Sequence, residues 1–384
     1  MKNFSFHNPT RIVFGRDCVA KLNKFIPEKE RILVCFGGGS VRSNGVYNQV
    51  KATLAGYDVH EFWGIEPNPS VETVRAAVAQ GRDFKATCVL AVGGGSVLDA
   101  CKLIAAALTT DVDPWEITRT GVWKSSLPLF TVLTVPATGS EMNNGAVISN
   151  KETGEKFPVT CSYPVVSFMD PSFCSTLDQR QRACGIADAY VHVLEQYLTY
   201  PQSSIMDRMA EGVLKQLIDI APKCIKEELE YDTAAEYMLT ATIALNGFLS
   251  MGVVPDWATH FIGHEITALT SITHAETLTM ILPHLWYVLL DQKQEKLAQY
   301  ALRVWHITDI KDERKLALRA IERTVKFFKD LGLATSMAEK NIAPEIGNEI
   351  IERFYKRNTF LGEGQICSPD VIKAIIKRSQ GVEI

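Results

Sequence analysis

Through the first 170 residues, short runs of β-branched and aliphatic residues alternate with longer stretches whose apolar positions recur at helical spacing. Strands are predicted at Arg11 to Phe14, Arg31 to Phe36, Tyr57 to Phe62, Thr87 to Val92, Leu129 to Val135 and Val165 to Met169. Helical spacing covers Val46 to Leu54, Val71 to Phe84 and Val97 to Leu108, with Ser70 and Ser96 as expected N-caps. This alternation predicts parallel βαβ units with helices on both faces, a Rossmann-like α/β domain. Gly145 to Thr160 departs from it, because two strand-like runs flank Thr153-Gly154, the signature of a β-hairpin attached to the sheet.

After Asp170-Pro171 the β-branched runs give way to stretches rich in Ala, Leu, Met, Lys and Glu. Ala183 to Leu198, Ile205 to Ile220, Thr233 to Ser250, Trp257 to Leu269, Leu278 to Leu290, Lys293 to Trp305 and Glu313 to Leu331 all fit a period near 3.6. The second half is therefore read as an all-α domain. The change of texture falls within 175–182, giving domains at 1–180 and 181–384.

A chain of 384 residues with 46% hydrophobic and 22% charged residues accommodates two packed domains. A net charge of -4, with no basic run interleaved with aromatics, excludes a general nucleic-acid binder. The nine cysteines are odd in number, scattered and never spaced C-x-x-C, and several, such as Cys35 and Cys88, fall inside apolar strand patterns. Free thiols of that kind fit a reducing compartment. No signal-like start and no apolar run long enough for a membrane are present, so a cytoplasmic protein is expected.

Three loops follow predicted strands. Backbone N–H groups approach a phosphate closely only where side chains are absent, and a helix N-terminus behind them adds positive potential. The run Gly93-Gly94-Gly95-Ser96 meets both conditions, and Gly37-Gly38-Gly39-Ser40 repeats the pattern. Neither is G-x-G-x-x-G. A third loop, TVPATGSEMNN, offers the hydroxyls of Thr138 and Ser140 and the amide of Asn143. Three such loops at the carboxyl ends of parallel strands predict one nucleotide crevice. The first carries no carboxylate for a ribose 2'-hydroxyl but has Ser40 and the nearby Arg42, which favours a 2'-phosphate and hence NADP(H) over NAD(H).

Asp188 and His192, four residues apart, point from one helical face, and His260, His264 and His274 crowd a single window in a chain with eight histidines. Imidazoles and a carboxylate converging from separate elements are a common grip on one divalent metal ion. HFIGH is not H-E-x-x-H, since Phe261 stands where a metalloprotease carries its glutamate, so hydrolysis is not the reading. Such an ion with an open position is a Lewis acid for a carbonyl oxygen. The neighbouring Ala, Tyr, Val, Phe, Ile and Leu residues favour a small, mostly apolar carbonyl compound.

At this point the chain resembles the iron-containing, or group III, alcohol dehydrogenases. The likeness is carried by NPTRIVFG, GGGSVRSNGVYNQV, GIEPNPSVETV, AVGGGSVLDACKLIAA, PATGSEMNNGAVIS, GIADAYVHVLEQY and DWATHFIGHEITALTSITHAETL, and spans essentially the whole sequence. Within the family the chain is most similar to NADPH-linked aldehyde reductases and butanol dehydrogenases. The resemblance implies a dehydroquinate synthase-like architecture and a cytoplasmic homodimer. It implies hydride transfer between NADP(H) and short- to medium-chain aldehydes or primary alcohols, with one Fe2+ or Zn2+ held by Asp188, His192, His260 and His274. His264 would lie beside the nicotinamide as a proton relay. Gly38, Gly39 and Ser40 would meet the 2'-phosphate, and Asn68, Gly94, Gly95, Ser96, Asp99, Thr138, Ser140, Asn143 and Lys156 would line the rest of the cofactor cleft. Ala275 follows the last of these histidines where many relatives have glycine. The competing readings are a polyol dehydrogenase of the glycerol or propanediol type and a metal- and NAD-dependent lyase of the dehydroquinate synthase type.

Overall fold

The computed structural model describes residues 1–200, 203–270 and 272–382. Its strands are β1 Arg11–Phe14, β2 Arg31–Phe36, β3 Asp58–Phe62, β4 Cys88–Gly94, β5 Leu129–Val135, β6 Gly145–Asn150, β7 Glu155–Thr160 and β8 Val166–Met169. Its helices are α1 Ser40–Ser43, α2 Val46–Thr53, α3 Val71–Phe84, α4 Gly95–Ala107, α5 Pro114–Thr120, α6 Gln179–Tyr197 and α7 Ser204–Cys224, then α8 Tyr231–Ala244 and α9 Ala258–Thr270. They continue with α10 His274–Val288, α11 Leu290–Arg303, α12 Glu313–Asp330, α13 Pro344–Arg357 and α14 Pro369–Ser379.

Contacts divide the chain into two compact units. One holds residues His7–Asp178 with Glu227–Asn246, and the other Met1–Phe6, Gln179–Lys226 and everything from Gly247 onward. Membership is thus not contiguous in sequence. Helix α8 packs on the short turn Pro171–Thr176 and belongs with the α/β elements.

In the α/β unit, six parallel strands run in the order β1-β8-β5-β4-β2-β3. The central strands are buried on both faces, which is why RILVCF, CVLAV and LFTVLTV read as nearly unbroken apolar runs. The predicted hairpin forms, but as a separate two-stranded sheet of β6 and β7 instead of an extension of the parallel one. It is seated on α4, where the Val147 N–H donates to the Asp99 carboxylate at 3.0 Å. Ser70 caps α3 through the Thr73 N–H. Ser96 does not cap α4: the helix starts one residue earlier, and the Ser96 hydroxyl accepts from the Asn68 N–H at 3.3 Å.

The other unit contains helices and loops and no strand among its described residues, apart from a single bridge between Leu361 and Cys367. Helix α10 packs against both α6 and α9, the helices that carry the other candidate ligand residues. Gly263 permits the close approach of α9 to α10, since a Cβ there would fall 2.9 Å from Thr277 Oγ1. Helix α10 begins at His274, not Leu278, so this histidine occupies a first turn. Helix α8 ends at Ala244 instead of Ser250, because the chain turns at Gly247 with φ +87°. Helices α13 and α14, beyond the last predicted segment, each open on a proline, and Ser368 caps α14.

Candidate metal centre and cofactor cleft

Asp188 and His192 lie one turn apart on α6, a helix buried along most of its length, so their side chains project together into the helical unit. Around Asp188 Oδ1 stand three imidazole nitrogens: His192 Nε2 at 3.8 Å, His260 Nε2 at 4.0 Å and His274 Nε2 at 3.8 Å. The rings of His192 and His260 are nearly parallel, with centroids 4.6 Å apart. Asp188 and His260 are buried and His274 is partly exposed, and single donor atoms from these three residues all fall within 4.8 Å of one another.

These separations are too long for hydrogen bonds. Two ligand atoms about 2.1 Å from a common tetrahedral ion lie roughly 3.4 Å apart, so the cluster is spaced slightly wider than a filled coordination sphere. Asp188 Oδ1 is buried with no hydrogen-bond partner among the described residues, and a bound cation would satisfy it. The donor set therefore fits a divalent ion. His264, one turn past His260, is also buried, and its ring lies 5.2 Å from that of His274.

One carboxylate in this region escaped the sequence reading. Glu195, three residues past His192 on the same face of α6, is bonded through Oε2 to His260 Nδ1, while its Oε1 accepts from the Thr259 N–H at 2.8 Å. Burial and the nearby Asp256 carboxylate push its carboxyl upward, while the His192 ring and the α9 amides from which it accepts favour the ionised form. The D-x3-H-x2-E spacing could have shown it.

In the α/β unit, the expected cofactor residues of the second and third loops are held by two sets of hydrogen bonds. Lys156 Nζ donates to Asn68 Oδ1 at 2.8 Å, and the Asn68 N–H donates to Ser96. The Ser140 hydroxyl donates to Asp99 Oδ1 at 2.6 Å, and the Asn143 amide donates to the carbonyls of Thr138 and Leu245. Gly95 packs so tightly on the third loop that a Cβ would fall 2.5 Å from Thr138 Oγ1. At the centre of the second set, around Ser140 and Asn143, sits a residue the sequence reading passed over. Lys102, fully buried, donates to Ser140 Oγ at 2.8 Å, Asn143 Oδ1 at 2.8 Å and the Gly145 carbonyl at 2.6 Å. Burial pushes its ammonium down to about 8 and raises the carboxyl of Asp99, 4.0 Å away. A lysine in the apolar stretch ACKLIAAA was the available signal.

The first loop lies outside both sets. A Cβ on Gly37 would meet Val97 at 3.4 Å, while Gly38, Gly39 and Ser40 run into the short α1, with Gly39 at φ +111°. Arg42 stacks its guanidinium 3.9 Å over Trp63, which fixes its position beside that loop.

Comparison with known proteins gives the family. Residues 9–171 match the family described as iron-containing alcohol dehydrogenase, and residues 182–380 match the C-terminal family of Fe-containing alcohol dehydrogenases. The NADPH-dependent aldehyde reductase YqhD of Escherichia coli is 46% identical over 99% of this chain and 100% of its own length. A probable NADH-dependent butanol dehydrogenase of Bacillus subtilis is 38% identical over 99% of this chain and 100% of its own. The crystal structure of Escherichia coli YqhD superposes with a TM-score of 0.96 at 45% identity, covering 98% of this chain and 99% of that one. NADH-dependent butanol dehydrogenase A of Thermotoga maritima superposes with a TM-score of 0.93 at 32% identity, covering 99% of both chains. With both halves matched and the likeness running from end to end, the chain belongs to the iron-containing alcohol dehydrogenase family, whose members are oxidoreductases.

Proposed function

We propose that this member of the family is an NADP(H)-dependent aldehyde reductase and alcohol dehydrogenase, acting on short- to medium-chain aldehydes or primary alcohols. The observation that carries the reading is Asp188 Oδ1, buried among three imidazole nitrogens at 3.8–4.0 Å. In this reading Asp188, His192, His260 and His274 hold one Fe2+ or Zn2+. When bound, the ion supplies Lewis-acid polarisation of the carbonyl oxygen.

The protein's own groups do the rest. The burial of Asp188, His192 and His260 keeps bulk water from competing for the ligand atoms and strengthens the field they set up. His264, next to His274 and outside the ligand set, exchanges the hydroxyl proton of the alcohol with solvent. In the α/β unit, Gly94, Gly95 and Ser96 open α4 toward the pyrophosphate, and Asp99, Thr138, Ser140, Asn143, Asn68 and Lys156 orient the nicotinamide end. Gly38, Gly39 and Ser40 leave bare amides and one hydroxyl for the 2'-phosphate, a choice supported by the NADPH dependence named for the 46% identical relative.

The functional domains in this reading are 1–180 for the dinucleotide and 181–384 for the metal, in line with the two family matches. A homodimer is supported by β1, which pairs with β8 on one side only among the described residues and so offers an open edge to a second copy. Nine buried free cysteines support the cytoplasm as its location, and no described helix is long and apolar enough to cross a membrane.

Oxidation of NADPH against a panel of linear aldehydes, glycerol-type polyols and phosphorylated sugars tests the proposal. Turnover confined to the aldehydes is expected. Turnover only of polyols, or none with any carbonyl in protein loaded with Fe2+ or Zn2+, would overturn it.

A further inference from the structure

Glu195 makes more contacts than a structural carboxylate in this place requires. Its Oε1 accepts from the N–H groups of Thr259 at 2.8 Å and His260 at 3.3 Å, the first-turn amides of α9 that have no partner inside the helix. Its Oε2 takes the Nδ1 side of the His260 ring. A neutral imidazole carries one proton, and a carboxylate at Nδ1 places it there. That leaves the lone pair on Nε2, the atom directed at Asp188 Oδ1 from 4.0 Å.

Glu195 is itself held from behind. The Asp256 N–H donates to the Glu195 carbonyl at 2.8 Å, and Asp256 Oδ1 accepts from the Ala258 N–H at 2.9 Å. Lys293, buried, binds Asp256 at 2.8 Å, Glu363 at 2.8 Å and the Leu198 carbonyl at 2.9 Å. Two carboxylates therefore cap α9 where a serine or threonine would ordinarily stand, and one of them also orients a ring in the cluster.

We propose that Glu195 is a positioning residue for metal binding, fixing the tautomer and orientation of His260 so that Nε2 is presented as a ligand atom. The inference rests on the reading of His260 as a ligand. Carboxylates in this relation to a ligating histidine raise metal affinity by about 10–100-fold.

The test is titration of the metal-free full-length protein with Zn2+ and Co2+ in competition with a chromophoric chelator. Glu195→Gln keeps the size of the side chain and an oxygen for the helix amides but presents an amide N–H to Nδ1, which favours the wrong tautomer. It is expected to weaken both ions by tenfold or more and to shift the visible absorption of bound Co2+. Glu265→Gln is the control. Glu265 lies on the same helix and pairs with Arg353 and Arg357, so its loss is expected to lower Tm while leaving affinity within twofold of the wild type. Wild-type-like affinity in Glu195→Gln overturns the inference and leaves the reading of the ligands standing. A wild-type protein that binds neither ion overturns both. Nitrogen-15 spectra of the metal-free wild type give a check that needs no variant, since a proton found on Nε2 of His260 instead of Nδ1 also overturns the inference.

Discussion

Lys102 and Asn143 are joined by a 2.8 Å hydrogen bond between a fully buried ammonium and a side-chain amide oxygen, and this bond ties helix α4 to the third cofactor loop. All three N–H groups of the ammonium are used, on Ser140, Asn143 and Gly145. Lys102→Met would strand those acceptors and leave the partly buried Asp99 without its cation, a change that in fully buried pairs costs about 3–5 kcal/mol. The expected result is a Tm lowered by several degrees and a Kd for NADPH raised at least tenfold, read by nucleotide fluorescence. Unchanged Tm and Kd together would remove Lys102 from the cofactor machinery.

Gly95 tests the same loops by volume instead of charge. A Cβ there would lie 2.5 Å from Thr138 Oγ1 and 2.8 Å from Thr138 Cγ2, closer than side chains approach. Gly95→Ala must therefore push the third loop off the start of α4, at a cost of about 1–3 kcal/mol. NADPH affinity is expected to fall while Zn2+ affinity is kept, since the proposed metal ligands lie in the helical unit. Equal loss of both would mean general unfolding and would contradict the local account.

The regions that could be read from sequence were those where one local rule decides. Continuous apolar runs gave β2 and β5 to the residue, because buried parallel strands need no alternation. The spacing of Asp188 and His192 placed both on one face of α6, and the histidine window pointed to α9 and the loop after it, where α10 already begins at His274. What stayed hidden depends on three-dimensional packing. Ser96 has the chemistry of an N-cap, yet glycines ahead of it let α4 start early and freed its hydroxyl for Asn68. Glu195 and Lys102 are ordinary charged residues in sequence, and their weight comes from burial among partners 38 to 65 positions away. The grouping of α8 with the α/β unit likewise follows from its packing on Pro171–Thr176, which no periodicity reports.

The ligand assignment separates His260 from His264. His260 Nε2 lies 4.0 Å from Asp188 Oδ1, whereas His264 meets the cluster through its contact with the His274 ring. His260→Ala is expected to lose bound metal, read by elemental analysis of anaerobically prepared protein. His264→Ala is expected to keep it and to lower kcat by about 10²–10⁴-fold, the ordinary worth of a positioned proton relay. Retention of metal and full activity in both variants would refute the assignment.

His284 provides a pH test remote from the site. Burial pushes its imidazole down to about 4, and its Nε2–H donates to the Thr335 carbonyl at 3.1 Å. Between pH 4 and 6.5 the unfolded chain binds a proton that the folded chain does not, so this group's contribution is present above pH 6.5 and is lost as pH falls toward 4. His284→Gln removes that slope while keeping a donor for the carbonyl. The difference in unfolding free energy between wild type and variant should change by about 2 kcal/mol from pH 7 to pH 4.5, with the variant gaining at the acid end. Parallel stability curves across that range would show that His284 titrates normally in the folded protein.

The nucleotide preference turns on the first loop. Gly38, Gly39 and Ser40 lead into α1 without a carboxylate, and Arg42 is held beside them by Trp63. A 2'-phosphate carries close to two negative charges, so a single carboxylate in this loop would repel it and would instead accept a bond from the 2'-hydroxyl of NADH. Ser40→Asp is expected to reduce kcat/KM for NADPH by tenfold or more and to raise it for NADH, reversing the preference without altering metal content. Arg42→Ala should weaken NADPH alone, by a smaller factor, because the exposed guanidinium works through solvent. The relatives named as NADH-dependent butanol dehydrogenases make the wild-type comparison decisive. A higher kcat/KM with NADH in the unaltered protein would overturn the reading of this loop while leaving the metal chemistry intact.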